Sequence, residues 1–197
     1  MITRQEALLF LNDNIENKNI IKHMLATEAM MRSLASILKT ENLILKTDEK
    51  IDEDEWAMTG LLHDGDYIPS VPPEKQGVAV TETLREKGHE IPDNIARAMA
   101  THNQMTGITP VSKMDWAIFC GDSLTGLIVA STLVLPSRKL ADLTVENVLN
   151  RFKEKSFAKG TRREDIALCE EKLGLSLNKF VEITLKAMQG INEDLGL

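Results

Sequence analysis

Apolar residues recur along most of this chain at the roughly three- and four-residue spacing of amphipathic helices, and strand-like alternation is nearly absent. Thr3 and Glu6 are placed as a capping box that opens a first helix to about Glu16. A second helix runs from about Asn19 to Lys39, with Ile20, Leu25, Met31, Leu34 and Leu38 at core spacing. Thr40 to Lys50 is polar and reads as a loop. A third helix begins near Asp52 and ends at His63 and Asp64, because Gly65, Pro69, Pro72 and Pro73 forbid continuation. Glu74 to Lys87 reads as a fourth, stopped by Gly88. Pro92 opens a fifth that runs through Asn103. Ser112 caps a long sixth to about Leu135, where Pro136 stops it. Thr144 caps another to about Lys155, and two more cover about Arg163 to Lys172 and Ser176 to Asn192. The expectation is an all-α fold of about nine helices. It is a single domain over residues 1–197, with a core over about 1–135 and helices 136–197 packed as an extension.

Composition narrows the class. With 197 residues, 43% hydrophobic and 27% charged, the chain is an ordinary globular domain rather than a disordered or fibrous one. The net charge of −7 and the 4% aromatic content argue against a partner such as duplex nucleic acid, which needs a basic face, or against base stacking. Cys120 and Cys169 are too few for a disulfide framework or a zinc ribbon and fit a reducing cytoplasmic setting. The opening MITRQEALLF lacks a basic flank before an apolar core, so no signal peptide is expected. The most apolar stretch, Leu124 to Pro136, is interrupted by Thr125, Gly126, Ser131 and Thr132. It falls short of the roughly 20 residues of a bilayer span, so no membrane partner is expected. A homo-oligomer is compatible with all of this.

The candidate chemistry centres on TGLLHDGDY. His63 and Asp64 stand at the end of an apolar helix, where burying an unpaired polar group costs about 2–7 kcal/mol. Thr59 and Gly60 just upstream are small and leave space over that face. His23 shares a helix face with Ile20, Thr27, Met30 and Leu34, and Asp122 lies among Phe119, Thr125, Gly126 and Val129. No Lys or Arg lies within one turn of Asp122, so a metal ion is the economical partner for its charge. From residue chemistry alone two readings stand: a hydrogen-bonded core cluster, or a metal site. Two imidazoles and two carboxylates suit one divalent ion of Mn, Fe, Co, Ni or Mg better than structural zinc.

The series His23, then His63 and Asp64, then Asp122 resembles the H…HD…D metal signature of the HD-domain phosphohydrolases. KHMLATEAMMRSLA, WAMTGLLHDGDY, IARAMATHNQ and GDSLTGLIVASTLVLPSRKL are similar in order and spacing to one bacterial and archaeal branch of that superfamily. An FKEKSFAKG segment and a KLGLSL helix extend the resemblance over nearly the whole chain. It implies an HD-type helical fold, a metal held by His23, His63, Asp64 and Asp122, and a phosphohydrolase activity. Dinuclear members add histidines between the HD pair and the last Asp. Here Gln76 holds the place where relatives often carry His, which points to a mononuclear centre, with His102 either serving substrate or supporting the ligands from a pocket rim, or else standing as a helix-terminal core histidine. Asp66, on the loop beyond the HD pair, has two readings: a second catalytic candidate, for proton transfer or for holding a water, or a plain turn residue. Tyr67 anchors that loop, and His89 reads as a surface residue.

Arg151, Lys153, Lys155, Lys159, Arg162 and Arg163 form a basic island on an acidic chain, preceded by Arg138 and Lys139. It reads either as a solvated face or as a surface toward an anionic substrate. The leading expectation is metal-dependent hydrolysis of a small phosphate ester, a nucleotide or related metabolite. The alternative is a nucleotide-binding or regulatory HD module with little turnover.

Overall fold

A computed structural model describes residues 1–40 and 50–197; residues 41–49, the body of the expected polar loop, lie outside the described residues. The described residues form an all-α fold. Eleven α-helical segments follow one another: α1 (Arg4–Asn14), α2 (Lys18–Thr40), α3 (Glu53–Leu62), α4 (Ala79–Glu86), α5 (Asp93–Thr101), α6 (Lys113–Leu133), α7 (Val145–Lys153), α8 (Arg163–Ala167), α9 (Cys169–Leu173), α10 (Leu177–Gln189) and α11 (Asn192–Leu195). The capping boxes at Thr3 and Ser112 form as their residue types require, each side chain taking an orphan amide of the first turn.

The structure departs from the sequence expectation at three helix limits. The helix expected from Glu74 begins only at Ala79, after a 3-10 turn over Pro73–Lys75. Gly77 stands between them at φ +88°, a conformation that ends any helix, and its amide is taken by Asp66. The helix expected over Arg163 to Lys172 breaks at Leu168 into α8 and α9, and α11 separates from α10 after Gly190.

α2 and α6 are the axes of the core. α3 and α10 pack on α2, and α6 meets α2, α5, α7, α8 and α9. α2 and α3 approach so closely that a Cβ at Gly60 would lie 2.6 Å from the Thr27 carbonyl oxygen. Gly60 therefore does not open space over the HD pair, as its small size implied; the backbone of α2 fills it. One hydrophobic cluster joins Met24, Met30 and Leu34 of α2 to Leu124 and Ile128 of α6 and to Phe180, Val181 and Met188 of α10. The helices beyond residue 135 thus build the same core rather than an outer layer. α6 is long and apolar enough, by length and composition, to cross a membrane, but 61% of its apolar window is buried by these neighbours. Its apolarity is that of a central core helix.

Candidate metal centre

His23 lies in the second turn of α2, and Asp122 lies midway along α6. His63 is the C-cap of α3, with Asp64 directly after it, and His102 is the C-cap of α5. Helix packing brings these five side chains from four elements to one point. The Nε2 atoms of His23 and His63 are 3.2 Å apart. Asp122 Oδ1 stands 2.9 Å from His23 Nε2 and 3.6 Å from His63 Nε2. Asp64 Oδ2 stands 3.7 Å and 3.6 Å from the same two nitrogens. The other Asp64 oxygen, Oδ1, is 3.2 Å from His102 Nε2.

The outward nitrogens explain the convergence. His63 Nδ1 donates to the Gly60 carbonyl at 2.9 Å, and His102 Nδ1 donates to the Met99 carbonyl at 2.5 Å. The Thr125 hydroxyl gives its hydrogen to the Asp122 carbonyl at 2.8 Å, which leaves its oxygen to accept from His23 Nδ1 at 3.2 Å. Each ring is therefore held at the angle that turns Nε2 inward, the device by which proteins orient metal-ligating imidazoles.

Electrostatics are set by mutual compensation. Burial opposes ionisation of Asp64, but His63, His102 and His23 hold its carboxyl near 2. Asp122 is likewise held well below the usual carboxylate range against its burial, by His23 and His63. Burial works to lower His23 and His102, yet their carboxylate partners prevail: His23 is raised, and His102 is lifted to about 9. The cluster is thus a concentrated pair of negative charges that attracts cations or protons.

Sequence reasoning missed Arg162. It crosses from the residue before α8 to place Nη2 3.0 Å from Asp122 Oδ2 and 3.2 Å from the His102 carbonyl oxygen. Its Nε donates to Asp165 at 2.6 Å, and Asp165 also accepts two bonds from Gln104. Asp122 therefore does have a positive partner, one remote in sequence. Arg162 belongs to the basic island, which was the one signal pointing to it. Its neighbour Arg163 instead donates to the backbone carbonyls of Arg151, Phe152, Glu154 and Phe157, so it organises the loop before α8.

Both catalytic candidates are buried among fixed partners. The Asp66 carboxylate accepts from Gly77 N–H at 2.9 Å and Val80 N–H at 2.8 Å and is buried, so it anchors the turn into α4 rather than standing free at the rim. Burial leads in raising its pKa, against the two amide bonds. His102 is only 6% exposed, inside the cluster rather than on a pocket rim. Gly77 presses against it: a Cβ there would lie 3.0 Å from the His102 ring. Tyr67 is exposed, and Gln76 offers its backbone carbonyl to Asn103.

No family model, curated protein or solved structure matches the chain. The donor set itself is the test of fit. His23, His63 and Asp64 could hold a metal ion, with one ligand atom from each inside 4.8 Å of the others. Asp122 Oδ1 adds a second carboxylate at the same point. Mixed imidazole and carboxylate donors fit a divalent first-row ion or Mg.

Proposed function

We propose that this chain is a metal-dependent phosphohydrolase of the HD type, acting in the reducing cytosol on a small phosphate ester, a nucleotide or related metabolite. The observation that carries the reading is the convergence of three inward Nε2 atoms and two carboxylates, each imidazole tied back through Nδ1. His23, His63, Asp64 and Asp122 would hold one divalent ion. Such an ion would supply Lewis acidity toward a phosphoryl oxygen and lower the pKa of a bound water. The residues around it supply the rest. Arg162 neutralises Asp122 on its outer oxygen and lends charge to an incoming phosphate. His102 orients Asp64 and carries a proton at Nε2. In the net reaction water forms the new P–O bond, the ester P–O bond breaks, and alcohol and inorganic phosphate leave. Buried, free Cys120 and Cys169 accord with a reducing compartment.

The test combines elemental analysis with a phosphatase screen over nucleotides and sugar phosphates, adding Mn, Co, Ni, Fe or Mg to stripped protein. The expected result is one divalent equivalent per chain, metal-dependent phosphate release, and no metal in His63→Ala or Asp122→Ala. Two equivalents per chain would overturn the mononuclear assignment. Retention of metal by both variants would remove His63 and Asp122 from the ligand set. Absence of turnover with every metal would overturn the hydrolase reading.

A further inference from the structure

A cavity of about 360 Å³ opens beside the centre, between α6 and the loop that precedes α8, with His23 and Asp122 in its inner wall. That volume lies within the range of pockets for small metabolites. Three polar groups around it have no protein partner among the described residues: the Ser123 and Thr161 hydroxyls and the Lys159 ammonium. Arg162 spends Nε and Nη2 on Asp165, Asp122 and the His102 carbonyl, which leaves both Nη1 donors for an oxygen in the cavity. The wall is preformed rather than loose, because Arg163 ties the loop and the end of α7 through six backbone carbonyls, those of Ala158 and Thr161 in the wall among them.

What the wall lacks is equally specific. Apart from the His23 imidazole, no ring and no Leu, Ile, Val or Met lines the cavity among the described residues. The one aromatic of the loop, Phe157, is turned to the Arg151 guanidinium, 4.9 Å from its ring. A nucleobase is held by stacking on a flat apolar face, and none lines this cavity among the described residues. Gly126 forms an open floor: a Cβ there would meet nothing within 4 Å. Glycine inside a helix is less favourable than alanine, and no packing contact accounts for it here.

We infer that this cavity is the substrate pocket and that it selects a small polyhydroxylated phosphate monoester, a sugar or polyol phosphate, over a nucleotide. Lys159 and Arg162 take the phosphate charge. The Ser123 and Thr161 hydroxyls take hydroxyl groups of the ester's carbon skeleton, which lies over Gly126. The inference narrows the phosphohydrolase reading and rests on it for the choice of phosphate chemistry.

Titration calorimetry on the full-length, Mn-loaded protein tests the pocket without requiring turnover. The probes are inorganic phosphate, ribose 5-phosphate and AMP. Ribose 5-phosphate is expected to bind at least as tightly as AMP, since adenine gains no contact. Gly126→Leu is expected to weaken ribose 5-phosphate by tenfold or more, with inorganic phosphate and Mn unaffected. Lys159→Ala is expected to weaken inorganic phosphate and ribose 5-phosphate alike. Leucine is a better helix former than glycine, so Gly126→Leu keeps the fold; Gly126→Ala, with its smaller intrusion, should give an intermediate effect. AMP binding tenfold tighter than ribose 5-phosphate would overturn the substrate class, and unchanged ribose 5-phosphate binding in Gly126→Leu would overturn the pocket. The predicted binding pattern without hydrolysis of any ester would support the pocket while refuting the hydrolase reading.

Discussion

An imidazole is a dependable ligand when its second nitrogen has a fixed partner, because that bond sets both tautomer and ring angle. Here the least conspicuous such partner is Thr125, fully buried, whose hydroxyl bridges His23 Nδ1 and the Asp122 carbonyl. Thr125→Val keeps the shape and removes the bridge. Metal affinity should fall about 10–100-fold, with a loss of stability of about 1 kcal/mol. Competition of the variant and parent for Mn against a chelator measures it, and equal affinities would mean that the His23 tautomer is set without Thr125. The side chains that converge were legible from residue type and helical register: His23, His63, Asp64 and Asp122 stand out as polar groups on apolar faces. Thr125 and Arg162 were not. A buried threonine in a helix has no distinguishing signal, and Arg162 reaches Asp122 from another helix boundary that helical spacing cannot connect to it.

At the scale of elements, the distance between His23 and His63 depends on how closely α3 lies on α2. Gly60 sets that distance. An alanine Cβ would approach the Thr27 carbonyl oxygen at 2.6 Å, its carbon at 2.7 Å and the Glu28 nitrogen at 2.8 Å, all backbone atoms that cannot rotate away. Gly60→Ala should therefore cost about 1–3 kcal/mol and weaken metal binding by shifting His63 from His23. Urea unfolding followed by circular dichroism gives the first quantity and a metal titration the second. A variant as stable as the parent would show that the two helices part without strain. Capping residues and prolines made most helix limits readable in advance. One exception has a tertiary cause: the start of α4 is fixed by Asp66 reaching Gly77 and Val80, and that contact has no local sequence pattern. The role of Gly60 was misread for the same reason, since only the packed α2 backbone shows that its missing side chain is filled space.

Over the whole molecule, the centre joins parts of the chain that are far apart in sequence. α2, the end of α3 and α6 provide the four ligand candidates, while Arg162 ties Asp122 to the start of α8. The same helices share one hydrophobic cluster with α10, so the division expected near residue 135 has no counterpart in the core. The basic residues that gather after residue 137 mark the surface, and surface charge does not report what is buried beneath it. A cation held at this junction would cross-link the fold, and an ion that binds the folded chain and not the unfolded one adds its binding free energy to stability. At a hundredfold excess over the dissociation constant the gain is about 2.7 kcal/mol. For a chain of this size each kcal/mol moves the melting temperature by about 2–4 °C, so Mn should raise it by about 5–11 °C over chelator-treated protein. Asp122→Ala, which removes a carboxylate from the junction, should melt at the same temperature with Mn and with chelator. Scanning calorimetry on both proteins decides it. A parent indifferent to Mn would mean that the imidazoles and carboxylates serve each other as a hydrogen-bonded core. A variant that still responds would place the stabilising ion elsewhere in the molecule.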